Sequence, residues 1–220
     1  MVTTHEAWLN STMEDPIDPD LPICDPHHHL WDHPDGRYFL EDMLQDTGGG
    51  HRIVQTVFLE CRSAYREDGP EEMRPVGETE FVERIAARSA SGQYGMARVA
   101  AGIVGFADLT LGAAVEPVLE AHMAASRTRF RGIRHISIWD SSPDVVSRLK
   151  IPRLLLEPKF REGFSYLQKY GLSFDAWLYH TQLMELVDLA RAFPDTPIIL
   201  DHVGTPLGIV PYAGKRKEVL

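Results

Sequence analysis

Six short runs of aliphatic and β-branched residues recur along the chain: Ile23–His29, Ile53–Cys61, Ala100–Asp108, Gly132–Trp139, Leu172–His180 and Pro197–Val203. Each is nearly continuous in its apolar character, as expected of strands buried on both faces. Between them lie stretches of helical periodicity. Thr79–Ser91 sets Phe81, Val82, Ile85 and Ala86 against Glu80, Glu83, Arg84 and Arg88. Ala114–Ser126 repeats the pattern with Pro117 in its first turn, where proline is tolerated. Pro158–Tyr170 and Gln182–Phe193 follow. Strand and helix in alternation predict a parallel sheet with helices outside it. Residues 1–20 are acidic and proline-bearing and are expected to form a mobile arm, with residues 21–220 as one domain.

Polar residues gather where these runs end. His27 and His29 close the first, Glu60 the second and Asp108 the third. Trp139 and Asp140 follow the fourth, His180 ends the fifth and His202 the sixth. The carboxyl ends of the strands are where active sites form in a (β/α)₈ barrel. On a strand, alternate side chains share a face, so His27, His29 and Asp25 point one way and His28 the other. Two imidazoles so placed can grip one metal ion. The competing reading is a polar loop that happens to hold three histidines. By the same alternation Asp201 faces away from His202 and is expected to be structural, and only one of Arg134 and His135 can face the site.

These stations resemble the amidohydrolase superfamily. Asp25-Pro-His27-His-His29 is similar to its D-x-H-x-H signature. Gly132-Ile-Arg134-His135, Phe174 to His180 and Ile199-Leu-Asp201-His202-Val-Gly204 resemble the amidohydrolase 2 branch. That branch holds fuconolactonase-like and 2-pyrone-4,6-dicarboxylate lactonase-like hydrolases, and decarboxylases of the aminocarboxymuconate-semialdehyde type. The resemblance implies a (β/α)₈ TIM-barrel type fold, and six strands account for about six of eight βα units. It implies His27, His29 and His180 as ligands of one divalent ion, Zn²⁺ by preference, and His180 and His202 as catalytic groups. Arg134 to Trp139 contains no lysine that could bridge two metals, which speaks for a single ion. Some lactonases of the branch work without metal, so metal-free catalysis stays open. The general base is expected on a last strand beyond Leu220, and the chain is therefore expected to be a C-terminally shortened barrel.

Arg134 is expected to anchor a substrate carboxylate, with a buried ion pair as the alternative, and Glu60, Trp139 and Tyr179 to line the substrate site. Arg62 and Asp108 are further rim candidates. The function this implies is hydrolysis of a lactone or related cyclic ester or amide by water attack on the carbonyl. The alternatives are non-oxidative decarboxylation in the same site, or a non-catalytic fragment. A net charge of −10, with no basic stripe, argues against a nucleic-acid partner. No apolar run approaches the ~18 residues of a membrane span. Two cysteines, Cys24 and Cys61, form no disulfide framework and are expected to be small buried hydrophobes on neighbouring strands. With no signal-peptide pattern at the start, a cytoplasmic enzyme is expected, with a homo-oligomer among its partner arrangements. His5, His33, His51 and His122 are expected at the surface or in packing, and Lys215-Arg216-Lys217 on a solvated helix face.

Overall fold

Six strands hydrogen-bond in parallel, in chain order, in the computed structural model of the protein, which describes residues 7–8, 11–12, 14–33 and 36–219. They are β1 (Ile23–His28), β4 (Ile53–Leu59), β5 (Arg98–Gly105), β6 (Phe130–Ile136), β7 (Ser173–Trp177) and β8 (Ile198–Leu200). A two-stranded antiparallel ribbon, β2 (Trp31–His33) and β3 (Gly36–Tyr38), follows β1. The helices are α1 (Leu40–Thr47), α2 (Val76–Ala90), α3 (Glu116–Ala125), α4 (Pro158–Tyr170), α5 (Leu183–Ala192) and α6 (Arg216–Val219). Each crossover adds the next strand on the same side, so right-handed twist curls the sheet into a half-barrel. The curl is strong. β1 and β8 stand at opposite edges, yet His27 Nδ1 and Asp201 Oδ1 are 3.9 Å apart.

All six expected runs contain strands, but five of the strands stop two to three residues or more before the run does. The reason is local. At the carboxyl ends the chain leaves the ladder for loops and 3₁₀ turns, such as Leu109–Val115, His180–Gln182 and Asp201–Gly204. The ribbon β2–β3 and helix α1 were not expected. The Pro34-Asp35-Gly36 stretch is a hairpin-turn composition that points to the ribbon.

The main core lies between sheet and helices. Phe58, Ile103, Ile133 and Phe174 from the strands meet Val82, Leu119, Phe160, Phe164 and Leu189 from the helices, nearly all fully buried. Gly163 lets α4 lie directly on the Leu109–Val115 turn, since a Cβ there would sit 2.2 Å from the Leu109 carbonyl oxygen. Gly171, at φ 64°, ends α4 in the left-handed conformation that glycine adopts without strain. His122 belongs to this core: its ring meets the Thr79 hydroxyl at 2.8 Å and the Phe106 carbonyl at 3.0 Å. His135 is packed between the rings of Phe106 and Phe160, on the helix side of the sheet.

Two expectations change. Cys24 is exposed rather than buried and pairs in register with Gln55, whereas Cys61 lies beyond the other end of β4. The two cysteines therefore are not neighbours. Of the expected arm, residues 1–6, 9, 10 and 13 lie outside the described residues. Asp20 is tied to the domain through its carbonyl, which accepts from Arg52. His5 lies outside the described residues, and His51 and the 215–217 basic run are exposed. No helix among the described residues is long and apolar enough to cross a membrane.

Candidate functional site

The end of β1 carries the first part of the site. His28 points toward the helices, where Thr56 Oγ1 lies 2.8 Å from its Nε2 and accepts from the Ala100 N–H. His27 and His29 point into the curl of the sheet, with their Nε2 atoms 3.3 Å apart. Two nitrogens at about 2.0–2.1 Å from a tetrahedral Zn²⁺ stand about 3.3–3.4 Å from each other. His29 Nδ1 lies 2.8 Å from the Leu59 carbonyl. That oxygen can only accept, so Nδ1 carries the proton and Nε2 is bare, the usual orienting contact behind a metal-binding histidine. Burial, with neighbouring cations, pushes His27 down to about 4 and lowers His29 as well. Both imidazoles are therefore neutral at pH 7, the form that ligates metal.

The second part comes from the turn after β8. Beyond Leu200 the chain tightens, with His202 and Val203 at φ 51° and 54°. Strand alternation stops there, so Asp201 turns inward, against the expectation that it faces away. His27, Asp201 and His202 each offer one ligand atom within 4.8 Å of the others. Asp201 is almost fully buried, and burial raises its pKa while Arg134 opposes the rise.

Arg134 enters from β6 and is the electrostatic centre of the group. Its Nε donates to Glu60 Oε1 at 3.0 Å, its Nη2 to the Glu60 carbonyl, and its Nη1 lies 3.7 Å from Asp201 Oδ2. Both Arg134 and Glu60 are buried, with side-chain exposures of 3% and 1%. Most of the guanidinium is thus committed to acids of the protein, and the buried-ion-pair alternative describes what the structure contains. Trp177, on β7, lies under the guanidinium at 5.3 Å and 5.7 Å from the His202 ring.

Other expected site residues are placed elsewhere. His180 begins the turn after β7, where its Nδ1 accepts from the Leu207 N–H and its ring packs edge-on to Tyr212. It is not in the group of His27, Asp201 and His202, because β7 ends at Trp177 and the chain has already left the sheet. Tyr179 is buried, and its hydroxyl donates to the Val146 carbonyl at 2.6 Å, under the loop after β6. Trp139 donates its N–H to Gln182 and lines a separate cavity of about 450 Å³ with Asp140, Glu185 and Tyr212. Asp108 caps the following turn, accepting from the Thr110 N–H and hydroxyl. Trp177 was missed. The signal for it was alternation from Asp175, which places residue 177 on the inner face.

Residues 24–218 match the amidohydrolase family. The chain belongs to that family. It is 32% identical over 215 residues to the uncharacterized protein y4mH of Sinorhizobium fredii, covering 91% of this chain and 68% of that protein. Among solved structures it is similar in fold to an amidohydrolase from Burkholderia multivorans. In the form with bound zinc the identity is 22% and the TM-score 0.59, over 86% of this chain and 60% of that one. In the form with bound HEPES they are 23% and 0.58, over 83% and 57%. Amidohydrolase 2 from Bifidobacterium longum subsp. infantis is also similar, at 18% identity and TM-score 0.53, over 86% and 65%. The chain thus spans less than two thirds of the length of these solved structures.

One feature of this amidohydrolase supports the site from behind. Glu78 of α2 reaches under the loop after β4, where its Oε1 accepts from the Cys61 N–H at 3.0 Å and the Ser63 N–H at 2.7 Å. Burial outweighs those donors and pushes its pKa up to about 8. A carboxyl with a raised folded pKa contributes its stability fully below about 4.5 and loses it as pH rises through about 8. Glu78→Gln keeps the acceptor and removes the titration. The melting temperature of the variant is expected to climb relative to the parent between pH 4.5 and 8, then hold a constant gap. Parallel melting curves across that range, measured by circular dichroism, would show that Glu78 is not buried as described.

Proposed function

We propose that this protein is a metal-dependent hydrolase that opens a lactone or related cyclic ester by attack of water on its carbonyl. The observation that carries the reading is the 3.3 Å spacing of two neutral, inward-facing imidazole nitrogens beside a buried carboxylate. The donor set fits a divalent ion of the zinc type, with His27 and His29 as its first holders, and His27 also shares a group of mutually close ligand atoms with Asp201 and His202. Bound there, such an ion would lower the pKa of a water and polarise a carbonyl.

The remaining work falls to this chain's own groups. Asp201 takes the proton of the attacking water. Burial makes its carboxylate more basic while Arg134 and His202 oppose the rise, which suits a proton acceptor. The Leu59 carbonyl holds His29 in the tautomer with a bare Nε2. Arg134 keeps Glu60 and Asp201 in place, and Trp177 walls off water on one side. Small-molecule binding in a soluble compartment, without nucleic acid, fits the negative overall charge.

The test is a panel of lactones offered to the purified protein before and after chelator treatment. Ring-opened acid is expected as product. Chelation is expected to abolish turnover and added Zn²⁺ to restore it. Release of CO₂ from a carboxylated substrate would instead assign decarboxylation. A folded, zinc-loaded protein inert toward every lactone would end the hydrolase reading.

A further inference from the structure

A cavity of about 270 Å³ opens beside the histidines, lined by His29, Glu60, Arg62, Arg134, Arg148 and Trp177 among others. Its charge is unusual for this chain. Three arginines and one glutamate give it +2 with His29 neutral, in a protein of net charge −10. Glu60 is already matched by Arg134. Arg62 and Arg148 are exposed and form no ion pair among the described residues. The neighbouring cavity of about 630 Å³, which Arg62 also borders, differs: Glu71, Glu72 and Asp108 there outnumber Arg62 and Arg74.

The backbone presents both arginines in set positions. Arg62 holds φ 64°, a conformation uncommon for a side-chain-bearing residue. The N–H groups on either side of it, of Cys61 and Ser63, are both clamped by Glu78 Oε1. The surroundings therefore impose the strained conformation rather than leaving it to the loop, as is common at ligand-binding positions. On the loop after β6, which also lines the cavity, the Arg148 N–H donates to the Ile138 carbonyl at 3.1 Å and ties the loop to the strand end.

We infer that Arg62 and Arg148, rather than Arg134, recognise the substrate, and that this substrate is a small carboxylate-bearing compound. A guanidinium offers a planar pair of donors to a carboxylate, and two of them from two different loops of one cavity match a ligand with two carboxylates or one carboxylate and the reacting ester. The cavity volume limits the ligand to roughly a dozen heavy atoms. This inference rests on the hydrolase reading for the chemistry but not for the binding.

Binding is therefore tested apart from turnover. Titration calorimetry would compare succinate, neutral succinamide and inorganic phosphate on the zinc-loaded protein. Succinate is expected to bind at least tenfold more tightly than either of the others. Arg62→Ala and Arg148→Ala are each expected to weaken succinate about tenfold, and the lysine variants to recover only part. With a carboxylated lactone as substrate, the same variants are expected to raise KM with little change in kcat, and to leave neutral lactones unaffected. Equal binding of succinamide, tighter binding of phosphate, or parent-like affinity in both alanine variants would overturn the inference. If succinate binding depends on both arginines while no lactone is opened, the hydrolase reading fails and the anion site stands. If lactones are opened while both alanine variants bind succinate as tightly as the parent, the reverse holds.

Discussion

Double replacement of His27 and His29 by alanine is expected to strip the protein of stoichiometric metal and to lower turnover by about 10³-fold or more. The size follows from the several kcal/mol that a bound ion contributes to carbonyl polarisation and water activation, at about 1.4 kcal/mol per factor of ten. The fold should survive, because both rings lie at the end of β1 and neither belongs to the main core. Elemental analysis of parent and variant, with circular dichroism for the fold, checks both parts. Equal metal content would place the ion elsewhere. Leu59 cannot be tested by side-chain change, since its carbonyl does the orienting. His29→Gln, which keeps a hydrogen bond but offers a poor ligand, serves as the conservative partner and should lose metal nearly as completely.

Arg134→Ala is expected to destabilise the protein by about 3–5 kcal/mol, the usual cost of leaving one member of a buried pair without its partner. Glu60 would be left with its carboxylate desolvated and its Oε2 already without a hydrogen bond. Burial already pushes Glu60 upward, with Arg134 opposing the rise, so the variant's Glu60 should take up a proton at a higher pH than the parent's. Arg134→Lys keeps the charge but cannot reach both the carboxylate and the Glu60 carbonyl, and should recover only part of the loss. Arg134→Met combined with Glu60→Leu removes both charges and should be more stable than Arg134→Ala alone. Urea unfolding of the four proteins is the measurement. Parent-like stability in Arg134→Ala would mean that the pair is open to water. The roles of Arg134 and the two exposed arginines separate here: the first acts on stability, the others on substrate affinity.

Much of the fold was legible in the chain because periodicity reports burial directly. Near-continuous apolar runs mean strands covered on both sides, and the 3.6-residue stripes of α2 to α5 mean helices covering them. The inward pair His27 and His29 followed from alternation alone, since both lie on or immediately beyond a regular strand. The same rule failed past the strand ends. Asp201 was placed on the wrong face because the chain leaves β8 at Leu200 and enters a turn with left-handed residues. His180 and Tyr179 were expected in the site because β7 was read to residue 180, whereas it ends at Trp177. Three residues of overrun are enough to replace Trp177 by Tyr179 and to miss the aromatic wall of the site.

By itself the sequence determined the six strands of the sheet and the four helices between them, the parallel order they imply, and a histidine pair on one face. Those properties depend on neighbours a few residues away. Only the tertiary structure decided which polar groups meet. Glu60 and Arg134 are 74 positions apart in the chain and on strands separated by β5, and His27 and Asp201 lie on opposite edges of the sheet. Their contacts come from the curl of the whole sheet, which accumulates over six strands and is written in no single segment. The same is true of Arg62 and Arg148. Each is an ordinary exposed arginine in its own loop, and they share a cavity because the curl brings the loops after β4 and β6 together around it.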